Sequence, residues 1–246
     1  MWFLPCLLVQ VCCAACAAGK RGRETTVPPG VRFIRAGQPA GCYHIIQEGG
    51  MSEAKRPACW TWEAYLEWEA GQPIRYELVD GEVCAMGGGT AEHDIIGNNL
   101  RAALHAQMRG KPCRSHGPDL KVKAGNDGRY PDALIDCGVR VPGALYAQEP
   151  VAVFEVLSKS TGWIDQGLKL RDYDATPSIR SYVLISQDEQ RAMVYTRDTD
   201  GRLGIRSAAL LEGAGASIDI PDLDVALPFS LLYEGLDFAA DGTADT

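Results

Sequence analysis

Positive charge is scarce in this 246-residue chain: 24 Lys and Arg stand against 32 Asp and Glu, a formal charge of -8. That balance excludes a broad basic face of the kind that wraps nucleic acid through charge alone, so any nucleic-acid surface must be a local patch. The four cysteines beyond Met51 (Cys59, Cys84, Cys113 and Cys137) form no CxxC pair, and no zinc-finger spacing, helix-turn-helix pattern or internal repeat occurs. An odd total of nine cysteines without a framework spacing argues against a disulfide scaffold. Those four are therefore expected to be free thiols, buried or half-buried, as suits a reducing, cytoplasmic setting. From Met51 onward no apolar run approaches the ~20 residues of a spanning helix, and no membrane is expected for residues 51–246. With 46% hydrophobic and 23% charged residues, the chain is neither disordered nor fibrous in composition.

Five further cysteines lie before Met51, in a stretch unlike the rest. Residues 1–18 (MWFLPCLLVQVCCAACAA) are apolar and small, but no basic segment precedes them as it does in a secretory signal. Residues 19–50 are rich in Gly, Pro and Arg without clear periodicity, and Met51 then opens a stretch that reads as the start of a soluble protein. Residues 1–50 are thus expected to lie outside the domain, as an extension from an upstream start codon or a signal-like segment. The domain is placed at 58–238 and a small-residue-rich, acidic, disordered tail at 239–246.

Within the domain, Thr61 is a plausible N-cap for an amphipathic helix to Glu69 that stops at Gly71. Asp80-Gly81 between apolar runs at 75–86 signals a hairpin. After the Gly87-Gly88-Gly89 break, Ile95, Ile96, Leu100, Ala103, Leu104 and Met108 recur at helical spacing from Ala91 to about Gln107, with Gly110 as the stop. Residues 113–125 can form one strand, Asn126-Asp127-Gly128 a turn, and 129–138 a second strand. The nearly continuous apolar run at 151–158 reads as a third, central strand. A helix over 165–175 stopped by Pro177, and strands at 181–186, 191–197 and after Gly201, complete the series. The order predicts an α/β fold with a mixed central sheet flanked by helices, preceded by an N-terminal helix and hairpin.

Three carboxylates sit where the chain should be apolar. Glu155 interrupts Val151–Leu157, Asp132 opens Ala133-Leu134-Ile135 after Pro131, and Glu77 precedes Leu78-Val79. Burying a carboxylate is costly unless something compensates it. Taken singly, a buried Arg or backbone donor would explain each. Taken together, acids on strands joined by a short connection can converge on one hard cation, which binds through one or two carboxylates plus water and phosphate.

Tyr130-Pro131-Asp132, then Glu155-Val156-Leu157-Ser158 with Ser160-Thr161, Asp165, Lys169 and Tyr173, resembles the Uma-two family of restriction-endonuclease-like proteins. Tyr76-Glu77-Leu78-Val79-Asp80-Gly81-Glu82 and His93 match the same family's first half, and the likeness runs from about Thr61 to Leu236. The resemblance implies a PD-(D/E)XK nuclease core and a metal-dependent DNA endonuclease, with Asp132 and Glu155 binding Mg²⁺ or Mn²⁺ and Glu77 as a possible third ligand. In the parent pattern a lysine two residues after the Glu assists the attacking water. Leu157 stands there, and Lys169 on the following helix matches the migrated lysine.

Asp165, Lys169 and Tyr173 share one helix face. A plain Asp165–Lys169 surface pair is the competing account of that lysine, and Lys159 is a competing amine. His93 and Tyr173 are further candidates, though a cap or packing role suits both. Ser158, Ser160 and Thr161 would cap the helix or support the site. Lys121, Lys123, Arg129, Lys159, Lys169 and Arg171 are the cations that could track a DNA backbone, and a homodimer could cut both strands. Two rival readings remain open: an inactive nuclease-fold module that binds nucleic acid or regulates, and a partner-dependent interaction protein of a mobile element.

Overall fold

The computed structural model describes residues 31–35, 43–47, 59–157 and 163–238, with side chains over 59–157 and 167–238. The expectations for residues 1–30 and 239–246, and for the side chains of Ser158, Lys159, Ser160, Thr161 and Asp165, lie outside the described residues. Strands β1 (Val31–Arg35) and β2 (Tyr43–Gln47) pair as an antiparallel hairpin.

Helix α1 (Trp62–Glu69) starts where Thr61 accepts a hydrogen bond from the Ala64 N–H through its side chain, as an N-cap should. Strands β3 (Tyr76–Val79) and β4 (Glu82–Ala85) close on Asp80 and Gly81. Both turn residues have positive φ, 49° and 80°, the conformation of a two-residue primed turn that Asp-Gly tolerates well. Helix α2 (Ala91–Met108) is capped by Thr90 and buries Ile96, Leu100, Leu104 and Met108 along one stripe.

The segment expected as one strand over 113–125 is two: β5 (Arg114–His116) and β6 (Val122–Ala124), which lie in different sheets. Gly117-Pro118-Asp119 separates them, and proline cannot donate to a ladder. The expected turn at 126–128 moves one step earlier, to Gly125-Asn126, because Asp127–Arg129 forms strand β7 and pairs with β6. Pro131 then breaks the expected 129–138 strand, so only Ala133–Asp136 continues as β8.

Strand β9 (Pro150–Leu157) is buried almost throughout, and helix α3 (Trp163–Asp174) carries the chain to the parallel strand β10 (Ser181–Ser186). Strands β11 (Arg191–Arg197) and β12 (Leu203–Glu212) follow as antiparallel neighbours. A hairpin of β13 (Ser217–Ile220) and β14 (Val225–Pro228) and a short helix α4 (Phe229–Leu232) close the fold, beyond the elements that the sequence pattern predicts.

The main sheet has the order β12-β11-β10-β9-β8-β5, and a second sheet the order β4-β3-β7-β6. The period of two divides β9 between two cores. Ala152, Phe154 and Val156 pack with α2, α4 and the β13–β14 hairpin. Val153 and Leu157 pack with Tyr173, Tyr182 and Leu184 on the other face, beneath α3. In the second sheet, Leu78 packs on Trp62 and Tyr65 of α1. Gly128 is obligatory for that contact: a Cβ there would lie 2.6 Å from the Trp62 ring.

The four scattered cysteines are not all free. Cys113 and Cys137 form a disulfide, while Cys59 and Cys84 remain thiols. The cause is register. Arg114 faces Asp136 across the antiparallel β5–β8 pair, so the next position outward sets residue 113 opposite 137. A separation of 24 residues gives no hint of this before the strands are paired. The inference from free thiols to a reducing compartment therefore does not hold for this pair. Replacing both by alanine should lower the unfolding free energy by about 3 kcal/mol, read from urea denaturation without reductant.

Candidate active site

The register that joins β8 and β9 builds the site. Ala133 faces Phe154 and Leu134 faces Val153, so the ladder continued by one residue sets Asp132 opposite Glu155. Leu134 and Val153 both belong to the core under α3, and strand alternation puts Asp132 and Glu155 on that same face. Asp132 is fixed from two sides. Its Oδ2 accepts a hydrogen bond of 2.7 Å from the Val156 N–H and lies 3.4 Å from His93 Nε2, in the first turn of α2. Its backbone carbonyl accepts from Arg101 Nη1 at 3.5 Å.

Glu155 is buried, and α3 supplies its partners. Lys169 Nζ donates to Oε2 at 2.9 Å, and the Tyr173 hydroxyl donates to Oε1 at 3.0 Å. The two donors are four residues apart, one helical turn, so a single face of α3 covers both carboxylate oxygens. Burial pushes the Glu155 carboxyl up to about 7; Lys169 opposes the shift, while the charges of Asp132 and Glu77 add to it. Burial lifts the Tyr173 hydroxyl well above its ordinary range, so it stays a proton donor. The His93 imidazole is held above its usual value by its hydrogen bond to Asp132, against the opposing effect of burial.

Glu77 lies beside this pair but is engaged differently. Its Oε1 accepts from the Tyr130 N–H at 2.9 Å and its Oε2 from Arg129 Nη1 at 3.2 Å. Burial would raise its carboxyl, but Lys169, Arg129 and the Tyr130 N–H together hold it below the usual range. Arg129 is 1% exposed and also donates to Asp172 Oδ2 from Nε and Nη2, at 2.9 and 2.5 Å. The Asp172 Oδ1 accepts from Arg171, which reaches on to Asp80 at 2.9 Å.

Two of the cations expected to track a nucleic-acid backbone are therefore interior. Arg129 is sealed among carboxylates, and Lys121, also buried, pairs with Glu69 at 2.9 Å under the Tyr130 ring. Lys123 and Arg171 keep exposed side chains, at 39% and 51%. The sequence reading had not singled out Asp172. Its signal was spacing: one helical turn beyond Lys169 and adjacent to Tyr173.

With this geometry in place, comparison with known proteins is decisive for kinship. The model of the Uma2 family, described as "Putative restriction endonuclease", matches residues 62–227. The chain belongs to the Uma2 family. Among its relatives is an uncharacterized Synechocystis protein, slr1290, 31% identical over 179 residues, which cover 72% of this chain and 92% of that one. A second uncharacterized Synechocystis protein, sll1609, is 24% identical over 161 residues, 63% of this chain and 88% of its own. The fold matches a crystal structure described as a "putative nuclease belonging to DUF820" from Anabaena variabilis, with a TM-score of 0.57 at 16% identity. That match covers 71% of this chain and 97% of the other. The restriction-endonuclease-like α/β architecture of this Uma2 chain is thus shared with that solved structure.

Among the described residues no group of three or more His, Cys, Asp or Glu side chains could hold a metal ion. A divalent cation still fits the donor set. Asp132 and Glu155 are hard oxygen donors on adjacent strands, and mutual repulsion among the carboxylates helps raise Glu155. Both oxygens of Glu77 are already taken, by Arg129 and the Tyr130 N–H.

Asp127 reports the electrostatics of this region at some remove from Asp132 and Glu155. Burial, with the charges of Asp172 and Asp80, pushes its carboxyl from 3.8 up to about 6, against the pull of Arg129. A raised carboxyl favours the folded state at low pH, and that contribution is lost as pH rises from about 4 through about 6. Asp127→Asn keeps an oxygen to accept the Asp80 N–H, which now donates to Asp127 Oδ1 at 2.8 Å. The variant should be more stable than wild type by about 1–3 kcal/mol at pH 7.5, with the difference vanishing near pH 4 in paired denaturant titrations.

Proposed function

We propose that this Uma2 protein is a metal-dependent DNA endonuclease that hydrolyses phosphodiester bonds, with Asp132 and Glu155 holding Mg²⁺ or Mn²⁺ and Lys169 as the catalytic amine. The observation that carries this reading is the convergence of Asp132 and Glu155 across one antiparallel register with Lys169 Nζ 2.9 Å from Glu155. A bound divalent ion would supply Lewis-acid charge at the phosphate and make a coordinated water a better nucleophile.

The chain's own groups do the rest. The Val156 N–H and His93 fix the orientation of Asp132, so the carboxylate is held ready without rotamer search. Tyr173 and Lys169 keep the Glu155 carboxylate in one plane, and their hydrogen bonds favour its charged form against burial. Lys169, on a long stem and 12% exposed, can donate a hydrogen bond to an oxygen that gains charge in the transition state. The acidic balance of the chain leaves DNA attraction to local cations, among them the exposed Lys123 of β6 and Arg171 of α3. Cutting both strands of a duplex needs two such sites, which a homodimer supplies, and the DNA of the cytoplasm is the substrate this reading implies.

One observation favours a second reading, a nuclease-fold module without activity. Both oxygens of Glu155 are already hydrogen-bonded by side chains of α3. Titration calorimetry separates the two, because the inactive module has no need to bind Mg²⁺.

The decisive assay is nicking of supercoiled plasmid with Mg²⁺ or Mn²⁺. Asp132→Ala and Glu155→Ala should each abolish cleavage, a loss of at least about a thousandfold, while retaining the wild-type circular dichroism spectrum. Absence of nicking by wild type under both metals, across supercoiled, linear and single-stranded DNA, overturns the proposal.

A further inference from the structure

Lys169 serves two masters. Its ammonium is bonded to Glu155, yet its charge also acts on Glu77, whose carboxyl it helps to hold down. The buried Glu155 and the half-buried Glu77 thus both draw on the charge of one flexible amine. Lysine presents a point charge on a four-carbon stem, so it settles on whichever acid is less well compensated.

The arrangement around Arg129 decides the competition. Its guanidinium donates to Glu77 on one side and to Asp172 on the other, and at 1% exposure it is shielded from water. Asp172 has a second partner in Arg171, whereas Glu77 has, besides Arg129, the N–H of Tyr130. Removing Arg129 therefore leaves Glu77, rather than Asp172, short of positive charge. The chain positions matter too. Arg129 lies three residues before Asp132, and Asp172 lies three residues after Lys169 on α3. The Arg129–Asp172 bond ties together the two segments that bring the acid and the amine to the site.

We propose that Arg129 is a positioning residue: by occupying Glu77 and anchoring Asp172, it keeps Lys169 on Glu155. The inference rests on Lys169 being the working amine of the site proposed above. It assigns Glu77 the role of a sequestered competitor, and Arg129 that of a buried guard with no contact to substrate.

The test uses the full chain, its lysines reductively ¹³C-methylated, and follows the dimethyl-Lys169 resonance by NMR, assigned by its loss in Lys169→Arg. In Arg129→Gln the Lys169 resonance should move while those of Lys111 and Lys123 stay. In Arg129→Gln with Glu77→Gln it should return to its wild-type position. A purely structural Arg129 gives no such restoration, because a second substitution does not rebuild a lost brace. Arg129→Lys retains the charge beside Glu77 and is the variant best placed to fold; it should leave the resonance in place. Cleavage should follow the same pattern, with kcat down on the order of tenfold in Arg129→Gln, KM unchanged, and kcat recovered in the double variant. An unmoved resonance in Arg129→Gln, a displaced one in Arg129→Lys, or no return in the double variant overturns the proposal. Because the resonance needs no turnover, the expected pattern in a protein that never nicks DNA would overturn the nuclease reading and leave the positioning of Lys169 standing.

Discussion

A carboxylate in the middle of a buried strand is the constraint around which this molecule is arranged. Glu155 stands between Phe154 and Val156 in the central strand of a six-stranded sheet, where water cannot reach it freely. An uncompensated charge there costs several kcal/mol or forces protonation. The fold answers with α3, which closes the crossover from β9 to the parallel β10 and presents Lys169 and Tyr173 to the two oxygens. It adds to the difficulty as well, by placing Asp132 opposite in the register. A protein under selection for stability alone would put a leucine at 155. The retained cost is what singles the place out as the candidate site.

The same logic explains why the second sheet exists in the form it does. Its inner face toward α1 is apolar and aromatic, with Leu78 on Trp62 and Tyr65. Its other face carries Glu77 and Arg129, which meet α3 through Asp172. The four-stranded sheet is thus bonded to the helix that bears the amine, and the helix is bonded to the strand that bears the acid. Charges that would be liabilities in isolation form a chain in which each has a partner, from Asp80 through Arg171, Asp172 and Arg129 to Glu77. Removing one member of such a buried set is more costly than never having built it.

What could be read from the sequence follows from which forces are local. The cap of α1, the extent of α2, the Asp80-Gly81 turn and the limits of β10 and β11 depend on neighbours within a few residues, and those readings match the structure. The α/β class and the kinship were legible because the acids sit at fixed places in apolar strands. The splitting of 113–125 was not, since only the assembled sheets reveal that β5 and β6 belong to different ones. The disulfide of Cys113 and Cys137 failed for the same reason, being a consequence of the β5–β8 register. Arg129 was misread as a surface cation because composition cannot tell a guanidinium in water from one enclosed by two carboxylates. Asp172 offered only its spacing from Lys169 as a signal, because an acid on a helix looks like an ordinary solvated residue until its partner is known.

The position of the amine makes the network around it necessary. A lysine two residues beyond Glu155 on the same strand would be held by the pleat itself, which returns side chains to one face at a fixed spacing. Leu157 occupies that place and packs into the core under α3 instead. In the proposed site the amine at residue 169 is positioned by tertiary packing instead of backbone geometry, and helix placement and a flexible stem both add freedom. That freedom must be removed by other contacts if the amine is to stay within hydrogen-bond reach of one carboxylate rather than another. The buried guanidinium of Arg129, between Glu77 and Asp172, removes it in both respects: it fixes the helix through Asp172 and neutralises the rival acid.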